Sequence, residues 1–341
     1  SSNSVRALSD SQIAALTTLQ VQALTTTQAA GLSTANMAAL GTTQLVAMDT
    51  ADLAAVATAS LASLSETQIA ALTTGQIAAL GTSQLVGLGT SLMAALTTLQ
   101  IEGLGTAQVA GLSAANVNAL TDAQVLALQT SDLVAVATST LRAMGSTQVA
   151  VLTTIQLAAI TTVQAAALGS ANMAALTVDQ LPYMELEDLA AVAPASLRGL
   201  NASQVAALTT LQIAGLTTKQ IVTMYSTQLA AMTTDQVNSL TTAQVLGMAT
   251  AQLAALTTAQ IAGLSTTQAQ SLRTREMLAL SAEQIAALET EDFAALSTRS
   301  IQVLSASQVE VLRTDQFAAM GGAQVEALST VALVTLSTIQ L

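Results

Sequence analysis

The sequence has no cysteine, no histidine and no tryptophan, and these absences remove whole classes of chemistry. Without thiols there is neither a disulfide nor a thiolate metal site. Without histidine the commonest metal ligand and the usual general base are both missing. Any base would have to be one carboxylate beside another. No serine stands apart from the many others, and no glycine-rich phosphate cradle is present, so no enzyme and no cofactor are expected. The aromatic side chains are Tyr183, Tyr225, Phe293 and Phe317 alone, so the expected core is thin and aliphatic.

Charge is also scarce. Charged residues make up 8% of the chain, the formal net charge is −12, and Lys219 is the one lysine. A nucleic-acid surface needs a basic footprint, so that partner is not expected. Nor is a small-molecule substrate. Hydrophobic residues reach 52%. Yet polar residues interrupt every short apolar run, and no stretch of about 18 apolar residues exists, so no membrane span is expected. No signal peptide is expected at the start, which already sits in repeat phase. Both ends read as cuts within a longer array, or as places where copies meet.

What the sequence does have is one eight-residue unit repeated throughout. Counting from Ser1, the 341 residues fall into 42 full octads and a five-residue remainder, with no insertion or deletion. The consensus is Thr/Ser-Thr-x-Gln-(Val/Ile/Leu)-Ala-Ala-Leu, as in Thr73 to Leu80. Position eight is Leu, Met, Val or Ile in every full octad. Position five is always apolar, and only Ala29, Ala165 and Ala269 are small there.

This unit reads as a helix that starts and stops. A Ser or Thr at position one is a good N-cap. A Gln at position four, present in 27 of the 42 octads, completes a capping box by reaching back to the cap amide. The apolar residue before the cap and the one at position five form a hydrophobic staple. One uninterrupted helix is excluded by geometry, because eight residues leave a drift of about 80° per octad and no constant apolar face. The expected fold is therefore all-α: a single continuous solenoid over 1–341, one very short helix per octad, held by packing between octads. A β-solenoid is the alternative, since short strict repeats often form one. Against it, Ala-Ala-Leu does not alternate with period two, and 17 glycines cannot mark 42 corners.

Departures from the consensus carry the remaining information. Position four is Asp at Asp52, Asp132, Asp188 and Asp292, and a hydroxyl follows one octad later at Ser60, Thr140, Ser196 and Ser300. Two octads before each Asp stands Asn36, Asn116, Asn172 or Glu276. In a coil of about 3.3 octads the four Asp would share one side, as a lateral contact stripe; the plainer reading is duplication of a longer unit. Glu185, Glu187 and Asp188 form one acidic cluster, and Glu289, Glu291 and Asp292 another. Either could hold calcium, which favours several oxygen ligands, or could serve only the helix dipole. Pro194 falls at a first helical position, where proline is tolerated. Pro182 falls inside an octad, which should be distorted.

The run Leu208-Thr209-Thr210-Leu211-Gln212-Ile213-Ala214-Gly215-Leu216 resembles the octad arrays of very long bacterial surface proteins, loosely labelled haem-utilisation or adhesion proteins. The likeness extends over the whole chain. It implies an extracellular or cell-surface location and self-association into fibres. For haem, this composition leaves only Met and Tyr as axial ligands. A shorter likeness is to the opening of repeats in transcription-activator-like effectors, whose unit is far longer and whose surface is basic. The expected function is a building block or spacer of a surface fibre. The alternative is an adhesive or ice-binding module that presents a regular array of position-two threonines.

Overall fold

In the computed structural model, which describes residues 2–334 and 336, almost every octad forms its own helix, four to seven residues long. No strand occurs among the described residues, which excludes the β-solenoid. Thr73 to Leu80 shows how the unit works. Thr73 is extended (φ −69°, ψ 157°), and its hydroxyl accepts from the Gln76 amide at 3.1 Å. The Thr73 amide donates to Gln76 Oε1 at 2.9 Å, completing the capping box. The helix Thr74–Ala79 ends at Leu80, which is extended again (φ −66°, ψ 139°). Two successive extended residues, the last of one octad and the first of the next, make the corner. Such a corner needs no left-handed residue, which is why glycine is sparse. Among the described residues only Gly89 has positive φ, at 75°.

The contacts group into two compact units, Ser1–Ala167 and Leu168–Leu341. Within each, a helix packs on the helix three octads further along. In the first unit Thr50–Ala55 lies against Thr74–Ala79, which in turn meets Thr98–Glu102. In the second, Thr210–Gly215 meets Thr234–Ser239, and Thr258–Ala262 meets Ala282–Ala287. Each unit is thus an all-α solenoid in which about three octads complete a coil.

Positions five and eight form the core, as their apolarity requires: Ile77 is fully buried and Leu80 is 3% exposed. They face different neighbours. In the opening octads Val5, Ile13 and Val21 are buried, whereas Leu8, Leu16 and Leu24 are only half-buried. In the closing octads Phe317 and Val325 lose part of their cover and Leu333 is exposed, whereas Met320 and Leu328 stay buried. Position five is therefore covered by the following coil, and position eight by the preceding one. Each large aliphatic group buried this way contributes roughly 1.5–3 kcal/mol. Helices of this length would not survive in water without it.

The two prolines act as their positions demand. Pro194 begins the helix Pro194–Leu197. Pro182 lies in a 3₁₀ turn, Leu181–Tyr183, that replaces the usual α-helical body. Among the described residues no helix is long and apolar enough to cross a membrane.

Candidate functional site: a buried glutamine seam

The most distinctive polar feature of the molecule lies inside it. Gln76 is 2% exposed. Its Oε1 takes the cap amide of its own octad, and its Nε2 donates to Leu45 O at 2.8 Å and Met48 O at 2.9 Å, one coil earlier. Gln100 does the same to Ile69 O and Leu72 O, at 2.9 and 2.7 Å. In the second unit Gln220 serves Leu189 O and Val192 O, both at 2.9 Å. Gln260 serves Leu229 O and Met232 O, at 3.0 and 2.7 Å. One partner lies 28 residues back, and the other 31 residues back or, as at Gln84 and Gln324, 30. A short helix leaves orphan amides at its start and orphan carbonyls at its end. Each glutamine satisfies one of each, on two different coils. Among the described residues no buried side-chain nitrogen or oxygen lacks a partner.

The capping box alone did not reveal this second role. A signal was nevertheless present. Glutamate caps as well as glutamine does, yet position four is Glu only at Glu276. A near-exclusive choice of the amide over the acid marks a site that must donate as well as accept.

The exceptions follow the same logic. Glu276 accepts the Arg273 amide at 3.0 Å but has nothing to donate. Arg275 bonds to it at 2.8 Å and extends its guanidinium to Leu246 O at 2.6 Å and Met248 O at 3.1 Å. Asn36 donates to Leu8 O at 3.1 Å and Asn116 to Val86 O at 3.3 Å. Ser60 and Ser300 donate to Leu32 O and Leu272 O at 2.9 and 2.7 Å. Octad Gly89 to Leu96 carries Leu92 in the seam, 6% exposed, so an apolar residue also fits there.

The four aspartates occupy seam positions and are 3–4% exposed. They therefore form no outward lateral stripe: position four faces the preceding coil, not solvent. Asp132 and Asp292 accept hydroxyls of that coil, from Thr106 at 2.8 Å and Thr266 at 2.7 Å. Burial pushes the Asp292 carboxyl above its ordinary range. Thr266 opposes the shift, while the charges of Glu289 and Glu291 add to it. The calcium reading fails on the same geometry. Glu185, Glu187, Glu289 and Glu291 are exposed, whereas Asp188 and Asp292 turn inward. Among the described residues no three carboxylates converge on a metal position.

The surface carries a second set of contacts between coils. Position seven closes on position two three octads earlier. A Cβ on Gly111 would fall 2.0 Å from the Thr82 methyl, and one on Gly199 would fall 2.1 Å from the Ser170 carbonyl oxygen. Position-two threonines are accordingly exposed, as at Thr74 and Thr234, or half-buried, as at Thr58 and Thr82. Arg198 stacks 4.8 Å from the Tyr225 ring centroid and donates to Thr223 O at 2.7 Å. This pair borders a shallow hollow floored by Ala174, Ala195 and Gly199. The Arg313 guanidinium and the Thr290 hydroxyl, 2.6 Å away, hold the exposed Asp315 carboxyl well below the usual carboxylate range.

Comparison with known families gives one match. The family model described as the ALTTAQ repeat matches residues 45–82, 93–130, 125–162, 181–218 and 285–322, together more than half of the chain. No curated protein matches the chain.

Proposed function

Because the chain belongs to the ALTTAQ repeat family, we propose that it is a structural protein, the building block or spacer of an extracellular or cell-surface bacterial fibre, without catalytic activity. The observation that carries this reading is the directional seam. Every regular coil presents glutamine amides to the coil before it and helix-end carbonyls to the coil after it. Such unlike faces favour head-to-tail addition, the arrangement that generates filaments when it does not close. The Ser/Thr-rich surface and low charge suit an exterior location.

Negative-stain microscopy and light scattering of the purified chain test the proposal. Filaments, or mass that grows with concentration, are expected. A stable monodisperse monomer at high concentration would overturn self-assembly. An adhesive or ice-binding role is favoured by the exposed position-two hydroxyls of Thr210, Thr234 and Thr258, which recur three octads apart along the second unit. A thermal-hysteresis assay decides the ice-binding version, and a null result removes it.

A further inference from the structure

We propose that two places in the seam, Asp132 with Thr140 and Asp292 with Ser300, are soft joints at which one coil separates from the preceding coil sooner than at the glutamine octads of the same unit. A regular octad joins its predecessor through an amide that donates to two carbonyls. An ionised aspartate cannot donate. Asp132 and Asp292 instead accept hydrogen bonds from the hydroxyls of Thr106 and Thr266. The position-eight carbonyls that a glutamine there would serve belong to Leu104 and Leu264. Both residues are buried at 5% exposure, and neither carbonyl has a side-chain partner among the described residues.

The octad that follows is also reduced. Thr140 donates once, to Leu112 O at 3.5 Å, and Ser300 once, to Leu272 O at 2.7 Å. Caps weaken at the same places: Gln129, Ala137 and Glu289 give no side-chain cap bond. Gln129 adds one exposed bond across the first joint, to Glu102 O at 3.0 Å, but the buried position-eight carbonyls stay unserved by the aspartates, and the two octads in succession lack the regular amide bond. The flanking octads are normal, with Gln124 and Gln148 around one joint and Gln284 and Gln308 around the other. An array built this way yields at set places under heat or tension, a coil at a time, because solenoid stability is a sum of unit and neighbour terms.

Native-state amide exchange on the whole chain tests this. Helices Thr130–Ala135 and Thr290–Ala294 should show about fivefold or more lower protection than Thr74–Ala79 and Thr242–Gly247, the factor for one lost hydrogen bond. Asp132→Gln and Asp292→Gln should each raise protection locally toward the level of the regular octads. The converse change, Gln76→Asp, should create a new joint and lower protection of Thr74–Ala79 by a similar factor. Equal protection along each unit in the unaltered chain would overturn the proposal. So would glutamine variants that leave local exchange unchanged while Gln76→Asp has no effect.

Discussion

Arg275 and Glu276 together replace one glutamine. Glu276 supplies the acceptor that caps its own helix, and Arg275 supplies donors to Leu246 O and Met248 O, the carbonyls a glutamine at this position would serve. Arg275→Ala should therefore destabilise the array. It strips donors from two carbonyls and leaves the Glu276 charge, 4% exposed, without its ion pair. Arg275 is about half exposed, so screening keeps the cost near 1–2 kcal/mol. Adding Glu276→Gln should recover all but about 0.5 kcal/mol. Denaturant titrations of the two singles and the double would show it, and an additive double mutant would refute the division of labour.

Asp292 should make stability depend on pH. Its folded-state pKa is raised by burial above the ordinary 3.8, so the folded state holds the proton to higher pH than the unfolded chain does. The stabilising contribution is complete below the unfolded value and is lost as pH rises through the folded one. Asp292→Asn should abolish that dependence. It should also add about 1 kcal/mol at pH 7 by placing a donor where Asn36 and Asn116 have theirs. Unfolding curves at pH 4 and pH 7 test both parts. Loss of stability at pH 7 in the asparagine variant would contradict the account.

Glycines at different octad positions should respond oppositely to alanine. At Gly199 the new Cβ meets backbone, the Ser170 carbonyl oxygen at 2.1 Å, which a side-chain adjustment cannot relieve. Overpacking of this kind costs about 1–3 kcal/mol. At Gly322 a Cβ meets nothing within 4 Å, and the position opens the helix Gly322–Ala327. Gly322→Ala should stabilise by about 0.4–1 kcal/mol, through a less flexible unfolded chain. Local exchange in the second unit would separate the two.

Within one octad the order of costs should be Leu80 and Gln76 first, Thr73 next and Thr74 last. Leu80→Ala leaves a cavity worth about 2–5 kcal/mol. Gln76→Ala leaves the Thr73 amide and the Met48 carbonyl without their partner, and unsatisfied buried groups cost about 1–3 kcal/mol each. Thr73→Ala loses the N-cap, about 1 kcal/mol. Thr74→Ala, at an exposed site, should stay within about 0.5 kcal/mol. If Gln76→Ala proved as mild as Thr74→Ala, the seam would not hold the coils together.

The local half of this architecture is legible in the octad itself. Thr73, Gln76, Ile77 and Leu80 lie within eight residues, so cap, helix, burial and corner all follow from short-range rules. The seam is not local. Its second partner lies 28 to 31 residues back, and that distance depends on how many octads close a coil, which apolar spacing does not set. For the same reason Asp132 and Asp292 read as outward variants of a cap. Nothing near them in sequence shows that position four faces an earlier coil. The lone glutamate at Glu276, with Arg275 beside it, was the visible trace of that constraint.

The 28-residue reach has a consequence for how such a gene can change. Counting 28 back from position four always lands on position eight, whichever octads intervene. Unequal recombination that adds or removes whole octads therefore returns every surviving glutamine to an equivalent carbonyl. Loss of a single codon shifts each amide near the break off its acceptors. Length can drift freely while phase cannot, and the 42 octads run without one slipped residue.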